Sequence, residues 1–350
     1  MDFRFPHFVL TVTVLMFLLP VHGKNRPLNI HLPEVQTFIQ EISEKHQIPK
    51  DELSQILAQS VRLPTVEKLI LPFAPGKPRS WKAYRARFIE PVRLDGGIEF
   101  WRQHQYWLER AEKQYGVAPE IIIAILGVET IYGKHQGSFR VLDVLTTLGF
   151  HFPIQAPRDR SVFFREQLEQ FLIYTRRQQI PATDVRGSFA GAIGIPQFMP
   201  SSIMQFAVDF DADGVIDLRL SPADAIGSVA SFLVQHGWQR GLELDFPVTA
   251  KENSISKFWL ANDLQVRHKR DQLAGAGFEV ASTLQDQLLG LIDLESPGAP
   301  TEYRAGTANF FAITQYNRSF FYAAAVADLA RALQARYSTL AVNQSPIAPK

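Results

Sequence analysis

The sequence predicts a mainly helical α+β protein, on three observations. Apolar residues recur at helical spacing through 31–60, 81–116 and 119–132. From about Phe246 the texture changes to short apolar runs between Gly/Pro turns, such as 288-LLGLIDLES-296 and 303-YRAGTANFFAITQ-315, which read as strands. Helical periodicity then returns in 319-SFFYAAAVADLARALQARY-337. The chain has 350 residues, 46% of them hydrophobic, enough to bury a sizeable core and to form two or three subdomains.

Taken in order, 1-MDFRFPH-7 carries one Arg and precedes the short apolar run 8-FVLTVTVLMFLLP-20, with small residues at 21-VHG-23. That run is short for a bilayer span and fits the apolar region of an export signal. The competing reading is an uncleaved anchor or a buried helix. A mature chain is expected to start near Lys24 and to act as an exported protein. Helical spacing in 31–60 breaks near Ile48-Pro49, and 71-LPFAPGKPRS-80 is a connector. Aromatic residues line the apolar side of 81–116. Pro119 suits a first helical turn and Gly133 a stop, so 119–132 is one helix with Glu129 in its last turn. Further helices are predicted at 138–149, 161–178, 199–208 and 222–237, and the tail after Ser338 reads as loose.

Composition narrows the function classes. A formal net charge of +1, with acids and bases interspersed, gives no electrostatic case for nucleic acid. Cysteine is absent, which excludes disulfides, Cys-ligated metals and a lipid-bearing cysteine. There is no G-x-S-x-G elbow, no H-E-x-x-H pair and no phosphate-binding Gly loop.

Three stretches carry candidate chemistry. In 127-GVETIYGK-134, following the apolar 121-IIIAIL-126, Glu129 sits near a helix C-terminus. The negative pole of the helix and apolar surroundings both favour its protonated form, as a general acid requires. A glutamate that points to solvent from a helix end is the alternative. In 187-GSFAGAIGIPQFMPSS-202, Gly191, Gly194 and Pro196 break both helix and strand patterns. The stretch presents Gln197, Phe198 and Met199 with several hydroxyls, suited to hydrogen bonding and stacking on a neutral polar ligand such as a sugar. A turn-rich connector whose Phe and Met fill the core fits as well. In 209-DFDADGVIDLRLSPAD-224, Asp209, Asp211 and Asp213 occupy positions 1, 3 and 5 of an EF-hand-like loop, with Gly214 at the sharp turn. Val215 would offer its carbonyl at position 7, and Asp217 stands at position 9. Leu220 occupies position 12, where a bidentate Glu belongs, and Asp224 could close an expanded loop. Hard oxygen ligands make Ca²⁺ the expected ion, in a structural role. The alternative is a solvated acidic turn.

Together 127-GVETIYGK-134, 138-SFRVLDVLTTLGF-150, 188-SFAGAIGIPQFMPSS-202, 209-DFDADGVIDL-218, 224-DAIGSVASFLVQHGW-238 and 314-TQYNRSFFYAAAV-326 resemble the MltB-type (family 3) lytic murein transglycosylases, in the family's order and over roughly residues 30–337. The resemblance implies a lysozyme-like helical core with an N-terminal helical domain and a small late β-containing domain. The expected boundaries are 24–116, 117–245 and 246–313, with a helix at 314–340 returning to the core and a tail at 341–350. It implies cleavage of the β-1,4 bond between N-acetylmuramic acid and N-acetylglucosamine, with Glu129 as the only catalytic carboxylate. Glu129 would protonate the glycosidic oxygen and then serve as base for the muramoyl 6-hydroxyl, closing a 1,6-anhydro ring. A paired-carboxylate glycosidase would need a second acid about 5–9 Å away, and the motifs nearest Glu129 in sequence offer no obvious one. The resemblance further implies that Ser188 hydrogen-bonds near the substrate's acetamido group or Glu129 and that Gln197 and Phe198 line the cleft, with Met199 beside them and Tyr316 and Tyr322 as cleft tyrosines. Arg160 resembles one of two adjacent family arginines, with Asp159 in place of the other. The implied setting is the periplasm of a Gram-negative cell. A monomer acting on glycan strands is expected, with cell-wall synthases as candidate partners and no organic cofactor.

Overall fold

The computed structural model describes residues 26–72, 79–251, 259–261, 264–281 and 286–344. The predicted leader 1–23, most of the 71–80 connector and the end of the predicted tail lie outside them. Two compact units divide the chain, each drawn from separated segments. One takes the described residues within Lys77–Tyr132 and Ile226–Lys350, the other those within Val14–Gly76 and Gly133–Ala225.

In the unit that holds the N-terminal segment, the helix Pro33–His46 starts with proline and an acidic first turn and ends on Lys45 and His46, matching its dipole. It buries Val35, Phe38, Ile39 and Ile42, a one-sided stripe. The expected break at Ile48-Pro49 is present: Gln47 takes a left-handed conformation (φ 56°) and a second helix runs Lys50–Ala58. Two short antiparallel ladders were not predicted, Arg26–Pro27 with Val61–Arg62 and Phe139–Arg140 with Arg186–Gly187. Two-residue strands are too short to show a period of two. The helix Val141–Phe150 is buried almost throughout and packs on Ser161–Arg177. The segment after the first ladder is tied to it where Val61 N–H donates to Asp143 (3.0 Å) and Leu63 N–H to Thr147 Oγ1 (2.9 Å).

The other unit contains the helices Trp81–Arg85, Pro91–Gln103, Gln105–Tyr115 and Pro119–Thr130. A five-stranded antiparallel sheet follows, ordered His268–Lys269, Leu288–Leu294, Glu302–Gly306, Asp245–Ala250 and Phe278–Val280. Leu289 and Leu291 face a small core with Leu273 and Phe278. Gly290, on the opposite face, lies so close to the Phe311 ring that a Cβ there would come within 2.3 Å of it. That contact requires glycine.

The expected strand 303–315 is corrected. The strand stops at Gly306, Thr307 caps a new helix by accepting from Asn309 N–H (3.1 Å), and Ala308–Tyr316 is helical. Buried apolar residues all round that helix mask its period. The last helix runs Phe320–Gln344, past Ser338, which corrects the loose tail after that residue. Its alanine-rich start, Ala323 to Ala327 around Val326, is fully buried and lets it pack closely on Pro119–Thr130. Buried Asp328 on this helix and Asp245 on the sheet share the Arg304 guanidinium (2.8 and 3.1 Å), which fixes the helix to the sheet. The predicted mainly helical α+β architecture is what the structure has.

Candidate active site

Glu129 lies in the last turn of Pro119–Thr130, a helix apolar on nearly every side. The Tyr322 hydroxyl, brought in by the C-terminal helix, donates to Glu129 Oε1 at 2.6 Å. Burial pushes the Glu129 pKa up to about 7, and the Tyr322 hydrogen bond opposes it. No other carboxylate contributes to that shift. Burial and the Glu129 charge hold the Tyr316 and Tyr322 phenols well above their ordinary value, so both stay protonated. The two rings lie 6.4 Å apart and nearly parallel. Tyr84 is a third phenol in the same field. Burial, with Glu129 second, pushes it up to about 12, and its ring packs on Phe321 at 5.6 Å. Tyr84 was not foreseen, because Trp81, Tyr84 and Phe88 fall at spacings 3 and 4 and read as an ordinary apolar stripe.

Beyond Glu129 the helix ends two residues earlier than predicted. Ile131 (φ 52°), Tyr132 (φ 59°) and Gly133 (φ 90°) are successively left-handed. For a β-branched residue this costs about 1–2 kcal/mol, so something must hold it. Tyr132 Oη donates to Arg93 O at 2.7 Å. Its ring fills a slot where a Cβ on Gly97 or Gly127 would approach Oη to 2.6 Å. Arg93 Nε in turn donates to Gly127 O at 2.9 Å, setting a cation against the negative end of the helix that bears Glu129. Arg93 and Tyr132 therefore fix where the helix delivers Glu129.

The Gly/Pro loop belongs to the other unit and is braced from within. Buried Ser188 accepts through Oγ from Ala192 N–H (3.0 Å) and Ala190 N–H (3.3 Å). Ile193 and Phe198 exchange backbone hydrogen bonds (2.8 and 3.1 Å). Phe198 is buried, while Gln197, left-handed at φ 53°, and Met199 remain partly accessible. Gln197 Nε2 donates to Gly194 O (2.9 Å) and to Gln136 O (3.1 Å). Arg160 stacks over Phe163 (4.5 Å) and Phe164 (5.2 Å), and burial lowers its pKa to about 10. Asp159 has its own task, accepting from Ser161 N–H (2.8 Å) at the start of Ser161–Arg177.

One carboxylate oxygen each from Asp209, Asp211 and Asp213 lies within 4.8 Å of the others. Asp209 accepts from Asp213 and Gly214 N–H (3.1 and 2.8 Å), which closes the turn. Asp211 Oδ1 is buried and has no hydrogen-bond partner among the described residues. A buried carboxylate oxygen beside two further carboxylates suits a cation. Asp224 faces the loop from inside, its oxygens taking the Phe210 and Asp217 N–H groups (2.7 and 2.8 Å). Burial, with the Asp211 and Asp209 charges, raises its pKa despite those bonds. Val215 is exposed and gives its N–H to Asp213 (2.8 Å), and Leu220 is 79% exposed, away from any ligand role. The loop's far end braces the polar loop: Ile195 N–H donates to Leu218 O (2.8 Å) and Gln136 Nε2 to Arg219 O (3.0 Å). Gln136 was not predicted, since a lone Gln in a short polar loop carries no signal in sequence.

The profile of the transglycosylase SLT domain matches residues 31–331. The chain belongs to this family. Membrane-bound lytic murein transglycosylase B of Escherichia coli (strain K12) is 39% identical over 310 residues, 86% of this chain and 82% of that protein. The soluble lytic transglycosylase SltB1 from Pseudomonas aeruginosa superposes with a TM-score of 0.80 at 38% identity, over 87% of this chain and 99% of that one. The Escherichia coli lytic transglycosylase Slt35, solved in complex with calcium, does so with 0.79 at 36%, over 92% and 100%. This SLT-domain transglycosylase is an enzyme that acts on peptidoglycan, and its helical part has the lysozyme-like fold of those relatives. No helix among its described residues is long and apolar enough to cross a membrane.

Proposed function

We propose that this SLT-domain transglycosylase cleaves the β-1,4 bond between N-acetylmuramic acid and N-acetylglucosamine without water, using Glu129 twice. The observation that carries the reading is a partly buried carboxyl whose pKa is raised to about 7 and which, among the described residues, takes a hydrogen bond from the Tyr322 phenol. Protonated Glu129 gives its proton to the glycosidic oxygen as the C1–O bond breaks. The resulting carboxylate accepts the proton of the muramoyl 6-hydroxyl as that oxygen bonds to C1. The atoms balance with no water consumed, and the carboxyl returns to its starting form. Tyr322 steadies the carboxylate between the two transfers, and the raised pKa keeps the acid charged with its proton near neutrality.

Ser188, Gln197, Phe198, Met199 and Arg160 are proposed to serve the glycan site, Phe198 and Ser188 by holding the loop and Gln197 and Met199 through their accessible side chains. Tyr316 and Tyr322 serve it beside Glu129. Asp209, Asp211 and Asp213, with the Val215 carbonyl, would hold Ca²⁺, which supplies charge neutralisation to the acidic loop, and Asp224 supports them through the backbone. The calcium complex of Slt35 supports this assignment. The proposed setting is the periplasm.

Mass spectrometry of fragments released from purified peptidoglycan tests the reaction. Products one water lighter than hydrolysis gives are expected, and Glu129→Gln should lower turnover by about 10²–10⁴-fold. Fragments with ordinary reducing ends would make the enzyme a hydrolase.

A further inference from the structure

Two lines of contact run from Arg93 to Glu129, both within the unit that holds the acid. The first follows the backbone. Arg93 Nε donates to Gly127 O (2.9 Å), two residues before Glu129 in the last turn of its helix. The second passes through rings. The Arg93 guanidinium lies over Phe88 (5.1 Å to the ring centre), Phe88 packs on Tyr84 (5.1 Å), and Tyr84 packs on Phe321 (5.6 Å). Phe321 precedes Tyr322, whose hydroxyl donates back to Glu129 (2.6 Å). The two lines form a closed circuit, with the acid and its hydrogen-bond donor at one end and Arg93 at the other.

Arg93 is itself held in place. Glu90 caps the helix Pro91–Gln103 by accepting from Val92 and Arg93 N–H (2.7 and 3.0 Å). It also takes Arg93 Nη1 (3.1 Å), which donates as well to Arg87 O (2.9 Å). One planar group therefore joins the turn at Arg87, the start of one helix and the end of the helix that bears Glu129. A guanidinium can hydrogen-bond in its plane while its face stacks on a ring, which an ammonium cannot do. Glu90 balances the charge of Arg93, so what Arg93 brings to Glu129 is placement.

We propose that Arg93 is a positioning residue of the reaction. It sets the separation of Glu129 from Tyr322 by holding the helix of the one and the ring packing of the other from a single point. The proposal rests on Glu129 being the acid and base, and adds what keeps it in register with its donor.

The test measures Arg93→Gln in the otherwise unsubstituted enzyme and in a Tyr322→Phe background. In the first, kcat should fall about tenfold or more with KM held, because a misplaced catalytic group costs rate and leaves binding intact. In the second no donor is left to place, and the same substitution should cost about twofold or less. An equal factor in both backgrounds overturns the proposal, as does a rise in KM in place of a fall in kcat. Arg93→Lys keeps the charge and loses the fork, so it should be as slow as Arg93→Gln, and full activity there overturns the proposal too. A thermal melt identifies any variant that fails to fold. In that event Phe88→Leu decides, since it cuts the line of rings and leaves the Arg93 hydrogen bonds in place. A fall in kcat that vanishes in the Tyr322→Phe background supports the circuit, and an unchanged kcat overturns it. Failure of the underlying reaction is separately visible, because the unsubstituted enzyme would then release ordinary reducing ends.

Discussion

At the scale of single residues, Glu129 occupies its place at a cost to stability. Its folded-state pKa of about 7 lies above the ordinary carboxylate value of 4.5. A raised carboxyl pKa means the folded state resists losing that proton, so the cost is absent below about pH 4 and full above about pH 7. Glu129→Gln should therefore stabilise the protein at pH 8 by up to about 3 kcal/mol, and the gain should shrink to nothing near pH 4. Denaturant unfolding at the two pH values measures it, and equal gains at both would mean burial does not govern this carboxyl. Ile131 makes a second case. Replacing it with glycine relieves about 1 kcal/mol of left-handed strain while giving up some packing, so the melting temperature should hardly move. The helix end loses its fixed geometry, and kcat should fall while KM holds. A drop in melting temperature matching the loss of activity would assign Ile131 to the fold alone.

At the scale of elements, legibility followed the length of the signal. Helices such as Ser161–Arg177 and Pro33–His46 show a one-sided apolar stripe over three or more turns, and sequence spacing finds them. The paired strands Arg26–Pro27 and Val61–Arg62 are specified by a tertiary contact, Val61 with Asp143, that local pattern cannot contain. The site divides the same way. Glu129, Gln197 and the Asp209–Asp213 loop stand in local motifs, and resemblance supplied Ser188, Tyr316 and Tyr322. Tyr84, Arg93, Tyr132 and Gln136 reach their partners only through folding across tens of residues. Gly194 shows how an element can depend on one position. Its φ is +79°, and an added Cβ would meet Leu218 O at 2.4 Å, at the point where the acidic loop grips the polar one. Gly194→Ala should cost about 2 kcal/mol or more and loosen both loops. Unfolding titrations that show no loss would mean the two loops are held independently.

At the scale of the whole molecule, the expectation of a helical protein with a late β-containing part holds, and its division into compact units could not be read from the chain. Each unit is assembled from segments far apart in sequence, and linear texture does not show that. The acidic loop matters to overall stability because it concentrates Asp209, Asp211 and Asp213 around a buried oxygen with no partner. Stripping the protein with EDTA should lower its melting temperature by several degrees, and adding Ca²⁺ should restore it. A melt indifferent to both would show that the loop stands without an ion.

The hydrogen bonds from Ile195 to Leu218 and from Gln136 to Arg219 make the acidic loop and the Gln197 loop mechanically one piece. Energetic coupling between two ligands on one body is reciprocal. If a bound cation tightens the grip of the Gln197 loop on a glycan strand by some factor, an engaged strand must retain the cation more strongly by the same factor. An enzyme of this design would hold its ion most firmly while at work on the wall, and part with it most readily when idle.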